Sequence, residues 1–165
     1  MDDSRVAAVR TAPERELLEG FVHDNRHELL ALLDGLTEEQ ARRRLVASAT
    51  TLLGLVKHVA FVERVWFGEG LAGLSRAEMG LPASIDESFE LLAGDTIASV
   101  REDYLQAVAD AERVAAGFAL EDHALHNRRS PMSLRWIYVH LVEELARHAG
   151  HGDILREQVL AADQG

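Results

Sequence analysis

Four metal-competent side chains recur along one stretch of the chain, WIYVHLVEELARHAGHGDIL: His140, Glu144, His148 and His151. On an α-helix, at about 100° per residue, they fall within a sector of roughly 80°. Ile137, Leu141, Leu145 and Leu155 share that side. The pattern therefore turns three imidazoles and a carboxylate toward the interior, and turns Glu143 toward water. Polar groups on a buried face cost several kcal/mol unless something satisfies them. Neutral imidazole and carboxylate are ordinary ligands of divalent metals, so a metal ion is the expected satisfier. A buried hydrogen-bond network without metal is the alternative.

A second segment, TLLGLVKHVAFVERVWF, has an apolar face of Leu52, Leu55, Val59, Val62 and Trp66, with Lys57 and Arg64 on the far side. His58 lies at the edge of that face, roughly 40–60° from Leu55 and Val62. Taken alone, it reads as a hydrogen-bonded core histidine. Beside an inward Glu-x-x-x-His pair on another helix, it becomes the candidate third ligand, because residues four apart can both reach one ion. His58, Glu144 and His148 would leave coordination positions open, which is the pattern of a catalytic rather than a structural site.

The elements that must position these groups are helical. Thr11-Ala-Pro-Glu14 reads as a capping box opening a helix to about Leu36, which Gly35 ends. Thr37-Glu-Glu-Gln40 is a second box, starting a short helix to about Leu45. Helix two follows Thr50 or Thr51 and runs to Phe67, stopped by Gly68 and Gly70. Residues 71–94 look irregular and loose enough to form or gate an entrance. Asp95-Thr96 caps a third helix over 97–117, and Ser133 caps the last, which runs to about Ala161. No strand-length alternation and no fixed-period repeat is found. The expected fold is all-α: a four-helix bundle with a long crossover loop between helices two and three, forming a single domain over 1–165.

Composition narrows the function. The chain has 165 residues, no cysteine and a formal net charge of −11. Without cysteine there is no disulfide, thiolate nucleophile or cysteine metal ligand, so any thiol chemistry must use a substrate's thiol. The acidic balance argues against a nucleic-acid partner, and Arg42-Arg43-Arg44 reads as a solvated helix end. No stretch approaches the roughly 18 apolar residues of a membrane span, and the N-terminus lacks a signal-peptide core, so a cytoplasmic protein is expected. All basic residues but Lys57 are arginine, which with heavy Ala, Gly, Val and Leu usage hints at a GC-rich bacterial genome.

The segments TLLGLVKHVAFVERVWFGEGLAG and SLRWIYVHLVEELARHAGHGDILRE resemble the DinB/YfiT-like superfamily of metal-binding four-helix bundles, particularly its actinobacterial DinB-family subgroup. In that superfamily one histidine on helix two and two ligands four apart on the last helix hold the metal. The resemblance implies His58, Glu144 and His148 as ligands. Glu144 stands in the first last-helix position, as a glutamate does in the related mycothiol-dependent maleylpyruvate isomerase branch. The chain departs from the typical His-x-x-x-His, Arg-Gly-Gln ending at His151, which could be a fourth ligand, a hydrogen-bond donor to a ligand, or the catalytic proton carrier. The thiol-transferase branch implies a metal that binds a low-molecular-weight thiol such as mycothiol and lowers its pKa. Zn²⁺ is the expected ion, with Ni, Fe or Mn as alternatives.

Several residues have plainer readings. His140 is expected to hydrogen-bond near the ligands, with direct contact to metal or substrate as the alternative, and Glu63 to pair with an arginine or orient a ligand. His23, His27, His123 and His126 read as surface residues. Trp66, Phe67, Trp136 and Tyr138 read as core and cleft walls. Arg147, Arg128 and Arg129 are candidates for receiving an anionic thiol conjugate. The leading expectation is a metal-dependent enzyme of small molecules, a thiol-dependent transferase or isomerase, in a protein that forms a homodimer. A hydrolase using metal-bound water and a non-catalytic, metal-stabilised binding protein are the competitors.

Overall fold

The computed structural model describes residues 5–126 and 131–162. A short helix α1 (Arg5–Ala8) precedes α2 (Glu14–Ala31) and the short α3 (Glu38–Arg42). Then come α4 (Leu52–Glu63), continued by π-helical turns over Arg64–Leu71, and α5 (Ile97–Ala115). Strands β1 (His123–Ala124) and β2 (Met132–Ser133) pair antiparallel just before α6 (Leu134–Ala162). Helix α2 packs along α6, α4 along α5, and α4 also meets α6. The four long helices form the all-α bundle that the periodicity predicts. Its buried side chains make one cluster, with Leu29 of α2, Leu33 in the turn after it, Leu52 and Leu55 of α4, and Ile137, Leu141 and Leu145 of α6 fully enclosed. No helix among the described residues is long and apolar enough to cross a membrane.

Most helix starts lie where their caps indicate. Thr37 and Thr96 both close capping boxes, with Gln40 and Ser99. Thr51 accepts the Gly54 amide, and Ser133 Oγ accepts that of Trp136. The Thr11–Glu14 box does not form: Pro13 occupies the N-cap position and no side chain caps α2. Proline's fixed φ starts a helix by itself, and its missing N–H removes one of the donors a cap would serve. Helix α2 ends at Ala31 and α3 at Arg42, both earlier than their apolar pattern extends. The small β ribbon was not expected, since two-residue strands are too short to show alternation.

Helix two does not stop at Phe67. It continues to Leu71 with π-type bonding, including a hydrogen bond from the Ala72 amide to the Phe67 carbonyl. Gly68 serves packing rather than termination: a Cβ there would lie 2.5 Å from Sδ of Met79. The long crossover, 72–96, then passes over α4. It contains one 3₁₀ turn, Asp86–Phe89, packed directly on that helix.

An ion pair is sealed inside the bundle. Arg26 Nε and one terminal nitrogen donate to the two carboxylate oxygens of Glu63, each at 2.7 Å. Glu63 is 0% exposed. A buried carboxylate needs such a partner, and Arg26 is the arginine that supplies it.

Candidate metal centre

His58, Glu144 and His148 converge. One ligand atom from each lies within 4.8 Å of the other two. His58 comes from the middle of α4 and is 3% exposed, while Glu144 and His148 stand one turn apart on α6 and are partly buried. The contact between α4 and α6 brings the three together, so the arrangement depends on bundle packing rather than on a loop.

The surroundings leave these groups short of partners. Nδ1 of His148 and Oε2 of Glu144 are buried without a hydrogen bond. Nε2 of His140 approaches Oε2 of Glu144 to 2.9 Å, within ion-pair range but off the alignment of a hydrogen bond. Burial pushes His58 down to about 3, helped by the neighbouring His148. Burial also pushes His148 down to about 4, helped by His151 and Arg147. Both rings are therefore neutral near pH 7, the form that ligates metals. Two neutral imidazoles and a carboxylate at one point, with a buried acceptor on His148 and one on Glu144 left without a hydrogen bond, fit a divalent cation.

Hydrogen bonds and stacking fix the rings. Nδ1 of His58 lies 2.7 Å from Oγ of Ser88. Phe89 stacks on the same ring, with centroids 3.9 Å apart and planes 13° from parallel. His140 stacks on Trp136 and meets the edge of Trp66.

A cavity of about 470 Å³ opens from this cluster. Its polar end is His58, His140, Glu144 and His148; its apolar wall includes Phe61, Val62, Trp66 and Phe89. Arg76 closes part of the rim. Its Nε donates to Glu69 at 2.9 Å, one terminal nitrogen donates to the Ala83 carbonyl, and its guanidinium sits 5.3 Å from the Phe61 ring centre.

His151 departs from the expected inward orientation. It is exposed, is not in the cavity wall, and has its ring centre 6.3 Å from that of His148. Its position three residues beyond His148 turns it past the edge of the buried face, where α6 meets solvent. Glu143 points outward as expected and binds Arg147 at 2.6 Å. Arg147 is thus a surface partner of Glu143 and lines no part of the cavity; Arg128 and Arg129 lie outside the described residues.

Arg76, Ile85, Ser88 and Phe89 were not anticipated. All four come from the crossover, whose irregular sequence carries no periodicity from which a face could be read. Glu63 binds no other site group, because Arg26 occupies both its oxygens. Trp66 is the cavity wall expected of it, whereas Phe67 and Tyr138 belong to the core and Trp136 is half exposed.

Residues 17–161 match the model of the family described as Mycothiol-S-transferase. No curated protein matches the chain.

Proposed function

The chain belongs to the mycothiol-S-transferase family, and from that premise we propose that it is a divalent-metal-dependent enzyme transferring the mycothiol sulfur to a small electrophile. The observation that carries the reading is the meeting of His58, Glu144 and His148 at the polar end of a cavity whose remaining wall is apolar apart from the Glu69–Arg76 pair. Those three residues hold the cation, taken to be Zn²⁺. When bound, the cation supplies Lewis acidity that lowers the pKa of a thiol at the site. Phe61, Val62, Trp66 and Phe89 exclude water and receive the apolar part of the acceptor. In the transfer, sulfur forms a bond to the acceptor carbon, the thiol proton departs, and the acceptor's leaving group or π bond takes the electron pair.

His140 is the imidazole that lines the cavity beside the ligands, with Nε2 facing Glu144, so the thiol proton is placed there. His151 is exposed beyond His148, about 16 Å along α6 from His140, so its proposed part is to exchange protons with water at the His148 end of the site rather than to receive one from His140.

The test is conjugation of mycothiol to a chromogenic electrophile. Activity should require mycothiol, vanish with a chelator and return with added divalent cation. Millimolar mycothiol should also change the visible absorption of the cobalt-substituted protein. Absence of both product and spectral change would sink the transferase reading.

A further inference from the structure

We propose that Ser88, in the 3₁₀ turn of the crossover, is a positioning residue that fixes His58 in its Nδ1–H tautomer, leaving Nε2 as the bare, ligating nitrogen. The inference rests on the metal-site reading above. Oγ of Ser88 has two close polar neighbours: Nδ1 of His58 at 2.7 Å and the carbonyl oxygen of Ile85 at 2.5 Å. A hydroxyl has one proton. Two oxygens that close repel unless a proton lies between them, and a carbonyl has none to offer. The Ser88 hydroxyl must therefore donate to Ile85, and its lone pair accepts from His58. That requires the proton on Nδ1, so the lone pair on His58 is at Nε2.

An isolated histidine prefers the opposite tautomer, with its proton on Nε2. At this site that form would put a hydrogen on the ligating nitrogen. Metal-bound histidines ordinarily have the other ring N–H held by an acceptor, which fixes tautomer and orientation together. Here the acceptor is 2% exposed, so water does not substitute for it. The stacked Phe89 ring holds the plane of the same imidazole. Adjacent residues of one turn thus set both the protonation pattern and the tilt of a ligand that belongs to a different element.

The turn is itself fastened to α4. The Phe89 carbonyl lies 2.6 Å from where a Cβ on Gly54 would stand, an approach that only glycine permits. Lys57 donates to the Glu90 carbonyl at 2.8 Å and pairs with Asp95 at 2.7 Å. Docking of the crossover and readiness of His58 to ligate are consequently one structural event.

Long-range ¹H–¹⁵N correlation on the metal-free, ¹⁵N-labelled protein near pH 7 reads the tautomer directly. The wild type should show His58 protonated at Nδ1 and bare at Nε2. Ser88→Ala should move the ring toward the Nε2–H form and weaken Zn²⁺ binding, measured by chelator competition, by about 10- to 100-fold. Ser88→Thr keeps the hydroxyl and should restore both. A wild-type His58 protonated at Nε2 would overturn the inference, without needing any variant to fold. So would a folded Ser88→Ala protein with unchanged tautomer and Zn²⁺ affinity. A wild type that shows the Nδ1–H form yet binds no Zn²⁺ would uphold the hydrogen bond and defeat the metal reading instead.

Discussion

Glu143 and Glu144 differ by one position, or about 100° of helix turn, and that rotation separates a surface ion pair from a candidate ligand. Glu143 is spent on Arg147 in solvent, where such a pair contributes little to stability. Glu144 brings to the cluster a buried oxygen that makes no hydrogen bond, with His140 Nε2 close by. Glu144→Ala and His148→Ala should each strip most of the bound metal, while Glu143→Ala should leave metal content near wild type. Elemental analysis of the purified variants decides it, and equal losses at 143 and 144 would show the helical phase to be wrong. The other buried carboxylate, Glu63, tests a different rule. Glu63→Gln removes one charge and leaves the buried Arg26 guanidinium with only the more exposed Glu112, 3.2 Å away, as an anionic partner, at a cost of about 3–5 kcal/mol. Chemical denaturation of the metal-free protein should show that loss.

At the scale of elements, the site depends on how closely the crossover lies on α4. A methyl at position 54 would meet the Phe89 carbonyl, so Gly54→Ala should push the Ser88–Phe89 turn away from His58. Overpacking of this kind costs about 1–3 kcal/mol, and metal affinity should fall with it. Gly150→Ala is the contrasting substitution: it lies in α6 with open space around it and should stabilise by about 0.5–1 kcal/mol. Paired thermal melts and Zn²⁺ titrations of the two variants check both signs. The same contrast explains which parts of the molecule the sequence discloses. His58, Glu144 and His148 sit on long helices, where a period of 3.6 converts residue number into direction. Ser88, Phe89 and Arg76 sit on a segment without a period, and their placement comes only from tertiary contact. Gly68 misled for a related reason, since a glycine in a sequence does not by itself distinguish a helix stop from the close approach that Met79 makes here. The sealed Arg26–Glu63 pair was half legible: an acid on an apolar helix demands a partner, but nothing local says which arginine supplies it.

For the whole molecule, the metal and the proton act on stability through the same two histidines. An ion that binds only the folded state adds RT ln(1 + [L]/Kd), about 2.7 kcal/mol at a hundredfold excess over Kd. For a chain of this size that raises Tm by about 5–10 °C. Protonation works the other way. In the folded, metal-free protein His58 and His148 are held down to about 3 and about 4, whereas in the unfolded chain both titrate near their ordinary value of 6.5. Below pH 6.5 the unfolded state therefore binds more protons than the native state, and stability falls as the pH drops toward those native values. The two effects separate on the pH axis. Because the native rings stay proton-free until about pH 4, the Tm increment from added Zn²⁺ should be nearly the same at pH 5 as at pH 7, even though both absolute melting temperatures are lower at pH 5. Calorimetric scans with and without Zn²⁺ at the two pH values measure this directly. If the increment has already collapsed by pH 6, the imidazoles titrate as ordinary exposed histidines, and the burial that prepares the site for a cation is not present in solution.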